Sequence, residues 1–364
     1  MLFFVCPKKY NAKNYKSKIF LAYISFTFKT VIIVYNYCFE RSVVSLFSQR
    51  NGITTSKMKI AIVGAGRNRN GIGEYIAKYF HQNGVSVTAV IATTEANAKK
   101  ASSVLKTYGI DAAPYSDFEK MSKNEQPDCV AIASPSETHY EYILRSIEAG
   151  AHVFCEKPFI FSKENNQLAK LDSIFEAAEK KNIKIAMNSQ WPFAIPFYEQ
   201  VSGPVDMQKI ETFFIKMSPL CFGKEMIPEA VPHALSILYY FCGDGRVEGI
   251  EIKSSEKDMT IEFVYRAKSI FCKVQIVFES KKDQPRDFLF GFNGQVVKRF
   301  LDMDAYDMYF CCNDKKLKII DPLELSVKNF ISAVNGEGEL LIDKPHILNN
   351  MYLLEKIYNE CGIN

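Results

Sequence analysis

The feature that most constrains this chain is a regular alternation of short apolar runs and amphipathic segments that starts at Met58. The first run, KIAIV, is almost wholly apolar, as in a parallel strand that is covered on both faces. Such alternation predicts right-handed crossovers and an open parallel sheet, with ligands bound beyond the carboxyl ends of the strands. The predicted strands are 59–63, 85–92, 129–133, 152–155 and 183–187, and the predicted helices are 73–81, 96–108, 137–149 and 163–181.

A glycine-containing loop follows the first predicted strand and leads into the first predicted helix. A dinucleotide site needs a tight turn here, bare backbone near the pyrophosphate and a helix N-terminus that points at it. The loop departs from the GxGxxG pattern because six residues separate its second glycine from the one that opens the helix. Its position nevertheless predicts a Rossmann domain, and the alternative is a flexible turn with solvated arginines. The predicted cofactor-binding residues of this loop are Gly64, Gly66, Arg67, Arg69, Gly71 and Gly73.

The end of the second strand bears on the choice between NAD and NADP. An acidic side chain there would bond the ribose 2′-OH of NAD and repel a 2′-phosphate. The strand ends instead in Thr93 and Thr94, whose hydroxyls can bond a phosphate, with Arg67 and Arg69 nearby in the loop. We therefore favour NADP slightly over NAD, although a shift of two residues would place Glu95 at this position and favour NAD.

The alternation stops after Met187, and runs rich in β-branched and aromatic residues follow. They predict an open, mostly antiparallel sheet, and a chain of 364 residues is long enough for two domains. We predict an α/β chain with a Rossmann domain and its parallel sheet at 58–188, followed by an α+β substrate and oligomerisation domain at 189–364. The closing helices are expected to pack back on the Rossmann domain, and the open sheet is expected to form a homodimer or homotetramer. The predicted strands are 208–217, 247–254, 259–265, 269–278, 287–291, 295–300 and 315–320.

Residues 1–57 differ from the rest, because Phe, Tyr, Asn, Lys and Ile crowd together there. The stretch Ile19–Phe39 is apolar and long enough for a membrane span, but Lys29 near its middle makes insertion less favourable. Met58 opens directly onto a strand. We therefore interpret 1–57 as a disordered extension or an over-extended start, and a membrane anchor is the alternative.

Composition limits the classes of partner. The net charge of +4 is small, so it does not indicate a nucleic-acid partner. Ten cysteines are scattered without a CxxC pair, which is typical of reduced, buried thiols in a cytoplasmic protein. The histidines form no metal-ligand pattern, so no metal is expected. A small-molecule substrate is the predicted partner.

Two further motifs carry a resemblance to a known family. The sequence ASPSETH at 133–139 follows one strand, and Glu156-Lys157-Pro158 follows the next. Together with the glycine loop, they make residues 58–364 similar to the glucose–fructose oxidoreductase and inositol dehydrogenase family (Gfo/Idh/MocA). The resemblance implies an NAD(P)-dependent oxidoreductase. The cofactor contacts that it implies outside the loop are Ser134, Pro135, His139, Glu156 and Lys157.

The resemblance also implies the catalytic residues. Lys157 would bond the reacting hydroxyl, and an ammonium at a strand end can stabilise a developing alkoxide. The family's Asp-xxx-His pattern is matched by Glu229 and His233, in which His233 would accept the proton and Glu229 would orient it. We expect Pro232 in the first turn of a helix over 232–241, with Glu229 just before it. A buried structural histidine is the alternative for His233.

The turn after the sixth strand is the predicted substrate contact. Asn188, Gln190 and Trp191 can offer amide groups and an aromatic platform that suit a sugar, although the family's arginine near here is missing. Packing between the domains is the alternative for Trp191.

Two functional hypotheses follow from these residues. The leading one is hydride transfer between a nicotinamide and a secondary alcohol of a sugar, cyclitol or related hydroxylated ring. The alternative is a dinucleotide-binding regulator without catalysis, which would not require Lys157 together with His233. A membrane-anchored enzyme is a third interpretation and depends on residues 19–39 alone.

Overall fold

A parallel sheet is built by the first half of the chain in the computed structural model, which describes residues 57–66, 72–161 and 167–362. Within these residues it has six strands in the order β3-β2-β1-β4-β5-β6, all parallel. The strand order reverses between β1 and β4, and this is the position where such sheets bind ligands. The strands are β1 Lys59–Val63, β2 Ser86–Ile91, β3 Ala113–Tyr115, β4 Cys129–Ile132, β5 His152–Glu156 and β6 Ile185–Asn188.

Helices connect these strands. Thr94 and Asp117 cap two of them by accepting hydrogen bonds from the backbone N–H of Asn97 and Lys120, which satisfies donors that the first turn leaves open. The third strand and the third helix were not predicted from the sequence. The strand is three residues long with Pro114 at its centre, and the helix buries only two side chains, so neither has a usable period. The helices are α1 Gly73–Gln82, α2 Glu95–Lys106, α3 Phe118–Glu125, α4 His139–Glu148 and α5 Gln167–Lys180.

The second half forms a larger sheet, which has eight strands within the described residues, in the order β14-β13-β12-β11-β7-β10-β9-β8. Only the pairing of β7 with β10 is parallel there, so the predicted mostly antiparallel sheet and the α/β fold class are confirmed. The strand at 307–312 was not predicted. The strands are β7 Thr212–Met217, β8 Arg246–Ser254, β9 Asp258–Ala267, β10 Ile270–Glu279, β11 Phe288–Phe292, β12 Gln295–Asp302, β13 Asp307–Cys312 and β14 Lys315–Ile319.

Four longer helices accompany this half within the described residues: α6 Ile195–Ser202, α7 Met226–Cys242, α8 Pro322–Val334 and α9 Lys344–Glu360. Helix α8 packs on the parallel sheet. The fully buried ring of Phe330 lies 6.0 Å from that of Phe80 and 5.4 Å from that of Phe154. Tyr79 donates a hydrogen bond of 2.7 Å from its hydroxyl to Asp321 Oδ2, at the start of α8. The division into domains at 188 stays a prediction.

The predicted N-terminal extension 1–57, apart from Lys57, lies outside the described residues, as does the candidate membrane segment 19–39. In the part of the chain that the structure describes, no helix has both the length and the apolar character needed to cross a bilayer.

Candidate active site

The turn after β1 packs tightly against the turn after β4. Gly64 has a φ of +88°, and a Cβ atom there would lie 2.7 Å from the backbone N of Ser134. At Gly73 a Cβ atom would lie 2.5 Å from the carbonyl O of Gly64, so the helix approaches the turn as closely as backbone allows. These are two of the roles that glycines have in a dinucleotide fingerprint, which the longer loop retains.

The remaining features of this turn fit a pyrophosphate. A Cβ atom at Gly66 would meet no atom of the described residues within 4 Å, so these residues leave the backbone bare on that side. Ile72, the residue before α1, makes no side-chain capping bond, and the N–H groups of a first helical turn are the groups that bind a phosphate. Arg67, Arg69 and Gly71 lie outside the described residues, so their assignment to the cofactor site stays a prediction.

The ASPSETH turn is held by its own side chains. Ser134 Oγ and Thr138 Oγ1 lie 2.7 Å apart, and Thr138 Oγ1 donates to the carbonyl of Pro135 at 2.8 Å. Ser134 and Pro135 both line the main cavity, beyond the carboxyl end of β4. The structure therefore places these two predicted cofactor contacts at the switch point, beside the glycine turn.

His139 links this turn to the segment after Lys157. Its Nδ1 lies 3.0 Å from the carbonyl O of Pro158 and 3.1 Å from that of Phe159, and its Nε2 lies 2.8 Å from the carbonyl O of Ser134. The side chain is buried, and burial lowers its pKa against the opposing effect of these carbonyls. Both ring nitrogens thus face protein carbonyls. The geometry favours a positioning role for His139 over the predicted direct cofactor contact.

Lys157 and Glu156 stand at the carboxyl end of β5. The Lys157 ammonium donates a 2.5 Å hydrogen bond to the carbonyl O of Glu229 and lies 3.4 Å from Glu229 Oε1. The Lys157 side chain is only 11% exposed, so its charge sits at the edge of a low-dielectric cavity.

Glu156 has an altered acidity. Burial raises its pKa to about 7, while the Lys157 charge and the hydrogen bond from Asn188 Nδ2 act in the opposite direction. A carboxyl group with this pKa carries its proton for part of the time near neutral pH.

The helix that carries His233 starts earlier than the sequence indicated. We expected it to begin at Pro232, but α7 runs from Met226, with Pro228 in its first turn, where a missing N–H costs nothing. Pro232 lies inside the helix, and its carbonyl accepts a 2.9 Å hydrogen bond from Asn350 Nδ2. Glu229 and His233 are therefore four residues apart within one helix and share a face, contrary to the expectation that Glu229 precedes it.

His233 is held as a neutral imidazole. Burial, and then the charge of Lys157, lower its pKa well below the usual range for histidine. Ser189 Oγ lies 3.4 Å from Nδ1, and the Trp191 ring meets the imidazole edge to face at 6.5 Å between centroids. A neutral imidazole in the same cavity as an ammonium is suited to accept a proton from a hydroxyl group.

The three predicted substrate residues all line this cavity, whose volume is about 590 Å³. Asn188 is buried and donates to Glu156 Oε1, and Gln190 is half-buried. Trp191 is 3% exposed and stacks on Phe288, in the same half of the chain, with ring centroids 3.6 Å apart, so the alternative that it packs between the domains stays a prediction.

The residues of the opposite cavity wall were not predicted from the sequence. Arg286 in the connection before β11, Phe288 at the start of β11 and Arg299 on β12 line the same space. A basic residue after Gln284-Pro285 in a turn was a weak signal, and nothing in the sequence indicated that it meets Arg299.

Thr93 and Thr94 are exposed at the end of β2 and do not line this cavity. Thr94 Oγ1 accepts from the backbone N–H of Asn97 at 3.2 Å as the cap of α2. Glu95 forms a 2.7 Å ion pair with Lys99 one turn along that helix. The preference for NADP therefore stays a prediction. Within the described residues, no group of three or more His, Cys, Asp or Glu side chains is placed to hold a metal ion.

Residues 58–189 match the model of the GFO_IDH_MocA family, described as an oxidoreductase family with an NAD-binding Rossmann fold. D-glucoside 3-dehydrogenase of Escherichia coli K12 is 32% identical over 109 residues, which are 30% of this chain and 29% of that protein. Inositol 2-dehydrogenase of Klebsiella pneumoniae strain 342 is 33% identical over 107 residues, which are 29% of this chain and 30% of that protein. The chain thus aligns with under a third of the length of these relatives.

Solved structures are similar over much more of the chain. UDP-N-acetylglucosamine 3-dehydrogenase from Acidithiobacillus ferrooxidans superposes with a TM-score of 0.62 at 12% identity, covering 83% of this chain and 97% of that one. An oxidoreductase from Agrobacterium radiobacter, in complex with NAD+, L-tartaric acid and magnesium, gives a TM-score of 0.63 at 13% identity, covering 84% and 97%. At this identity the similarity shows the fold of both halves.

Proposed function

We propose that this chain, whose residues 58–189 belong to the Gfo/Idh/MocA oxidoreductase family, is an enzyme that transfers hydride reversibly between a nicotinamide dinucleotide and a secondary alcohol. The observation that carries the proposal is that Lys157, at the end of β5, and His233, within α7, line the same cavity. A regulator would need the glycine turn but not this pair. The arrangement therefore favours the enzyme over the regulator.

The proposed reaction divides between the two side chains. Lys157 donates a hydrogen bond to the reacting oxygen and stabilises the charge that develops on it. His233, kept neutral by burial and by the Lys157 charge, accepts the hydroxyl proton during oxidation and returns it during reduction. A bound NAD(P) supplies the carbon that accepts or gives the hydride.

Glu229 positions the lysine in this proposal. Its backbone carbonyl and its carboxylate both contact the Lys157 ammonium, which orients the ammonium before substrate binds. His139 holds the segment after Lys157 in place, because its ring contacts the carbonyls of Pro158 and Phe159. Both residues would act through Lys157, while Lys157 itself would touch the substrate.

The proposed cofactor site runs from the glycine turn to the ASPSETH turn. Gly64, Gly66 and Gly73 would hold the pyrophosphate, and Ser134 and Pro135 would lie along the dinucleotide. We retain NADP as the favoured form because the hydroxyl residues Thr93 and Thr94, rather than an acid, follow β2 directly after Ala92.

The proposed substrate is a sugar, cyclitol or related hydroxylated ring. The names of two relatives, D-glucoside 3-dehydrogenase and inositol 2-dehydrogenase, support this class. Asn188 and Gln190 offer amides at the cavity wall that can bond ring hydroxyls. A cytoplasmic location and a homo-oligomer formed through the open sheet remain predictions.

Titration of the chain with NADPH and NADH, followed by nicotinamide fluorescence, tests the cofactor, and a polyol and sugar panel in the oxidising direction tests the reaction. Lys157→Ala should retain dinucleotide binding and lose about 10²–10³ of the turnover, the usual loss for one charge-stabilising donor. Lys181→Ala, which removes an exposed lysine whose ammonium donates to the Glu148 carbonyl, is the matched control. Near-normal turnover of Lys157→Ala would refute the assignment, and binding without turnover on any substrate would favour the regulator.

A further inference from the structure

Two arginines share the end of the cavity that is formed by the second sheet. Arg286 lies in the connection between β10 and β11, and Arg299 lies on β12. Both line the cavity, and Arg299 Nη2 donates a 2.5 Å hydrogen bond to the backbone carbonyl of Arg286. This bond fixes Arg299 beside the Arg286 backbone, so two like charges approach one another at a cavity wall.

Neither guanidinium is paired with a carboxylate in the described ranges 57–66, 72–161 and 167–362. The two acids that influence Arg299 from a distance, Asp287 and Asp321, have other contacts. Asp287 lies 4.0 Å from the Lys281 ammonium, and Asp321 accepts hydrogen bonds from Tyr79 and from the backbone of Leu323. Asp287 lines the same cavity wall, but neither arginine forms an ion pair with it or with Asp321.

Of the other acids that line the cavity, Glu137 lies in the ASPSETH turn and three lie near Lys157. Glu156 and Glu229 lie around Lys157, and Glu225 is close to Cys221 beside them. The cavity is therefore divided by charge, with a compensated lysine at the reaction end and uncompensated arginines at the other. Such a division favours a ligand that has one neutral hydroxylated part and one anionic part.

Aromatic rings connect the two ends. The Arg299 guanidinium carbon lies 5.7 Å from the Trp191 ring centroid and 5.8 Å from that of Phe288. Trp191 in turn meets His233 at 6.5 Å between ring centroids. One aromatic side chain thus contacts both the guanidinium and the proposed base, and all three line one cavity.

We propose that Arg286 and Arg299 bind an anionic group on the substrate, a phosphate ester or a carboxylate, so that the substrate is an acidic sugar derivative. This inference rests on the proposed function, because it names the substrate class of the same cavity. A guanidinium suits both groups, since its parallel N–H donors bond two oxygens at once.

Energetics support an anion at this position. Burial, followed by the neighbouring Arg286 charge, lowers the pKa of Arg299. Even a half-buried cation beside a like charge is costly unless an opposite charge is supplied. The cation–π contacts with Trp191 and Phe288 hold the guanidinium in place but do not neutralise it.

Trp191 provides the assay, because it is the only tryptophan of the 364 residues and it lies against Arg299. Tryptophan emission of the full chain is followed during titration with D-glucuronate, with D-glucose 6-phosphate and with D-glucose at equal ionic strength. Saturating NADPH is present, so that the phosphate-binding glycine turn is occupied. We expect at least one anion to give a saturable change at a concentration about tenfold or more below that required for glucose. A response to glucuronate identifies a carboxylate, and a response to the phosphate ester identifies a phosphate.

Variants locate the effect. Arg286→Gln and Arg299→Gln should each weaken binding of the responding anion about tenfold. Arg246→Gln should leave it unchanged, because Arg246 is exposed on β8 and contacts Glu248. Equal responses to glucose and to both anions would overturn the inference, and so would arginine variants that bind the anion as the parent chain does. Failure of NADPH to bind refutes the proposed function by a separate signal, and the emission titration of the apo chain then still tests the arginine pair.

Discussion

Alanine at Gly64 should destabilise the chain by much more than alanine at Gly84. The two positions have nearly the same φ, +88° and +87°. A Cβ atom in this left-handed region costs about 1–2 kcal/mol at either position. Only at Gly64 does the new atom also meet backbone, at 2.7 Å from Ser134 N, whereas at Gly84 it meets nothing within 4 Å.

The contact with Ser134 adds a second cost. Overpacking of this kind destabilises a protein by about 1–3 kcal/mol when the neighbouring atoms cannot move. The backbone amide of Ser134, at a strand end, can move little. We expect Gly64→Ala to lose about 2–5 kcal/mol of unfolding free energy and Gly84→Ala about 1–2 kcal/mol. Gly64→Ala should also weaken NADPH binding, because relief of the clash moves the ASPSETH turn.

Urea unfolding followed by far-ultraviolet circular dichroism measures both variants against the parent chain. The comparison isolates the steric contact, since the conformational strain is common to the two substitutions. Equal destabilisation of Gly64→Ala and Gly84→Ala would show that the turns after β1 and β4 are not in the described contact. NADPH affinity that is unchanged in Gly64→Ala would refute the link between this contact and the cofactor site.

Three further changes test other parts of the structure. The pKa of Glu156 rises from 4.5 in the unfolded chain to about 7 in the folded chain, so ionisation of this carboxyl opposes folding. The stability contributed by the protonated form is complete below pH 4.5 and is lost as the pH rises through 7. Glu156→Gln should therefore gain up to about 3 kcal/mol over the parent chain at pH 8 but nothing at pH 4, and equal urea midpoints at pH 8 would contradict the assigned burial. Phe330→Ala should cost about 3–5 kcal/mol in urea unfolding, and Phe271→Ala, at a ring that is 53% exposed, should cost far less; similar losses would refute the packing of α8. His233→Asn should retain NADPH binding and lose about 10²–10⁴ of the oxidation rate, and a rate close to that of the parent chain would exclude His233 as the base.

The alternating half was predictable because its strands are continuous apolar runs and its helices have one apolar face. The run at Lys59–Val63 was placed at its observed bounds, and the resemblance placed Lys157 at the end of a strand. Elements without a period were missed, as in the three-residue strand that contains Pro114. The start of α7 was misplaced because Pro228 and Pro232 both suit a first turn, and the sequence does not distinguish them.

The candidate site was predictable only where its residues lie in local motifs. The Lys157 and His233 positions follow from short patterns, whereas Arg286 reaches the cavity from the connection before β11 and Arg299 reaches it from β12. Their convergence depends on the pairing of β11 with β12, which is set by register over the whole sheet. The spacing of residues in the sequence does not indicate that these two arginines come together.

The position of Phe330 also has a consequence for synthesis of the chain. This residue completes the apolar layer formed by Phe80 and Phe154, yet it is translated long after both. A nascent chain that has emerged only as far as β6 must leave that layer open to water. We therefore expect the ribosome-bound first half to be a client of chaperones that hold exposed apolar surface, and to release them once α8 has left the exit tunnel.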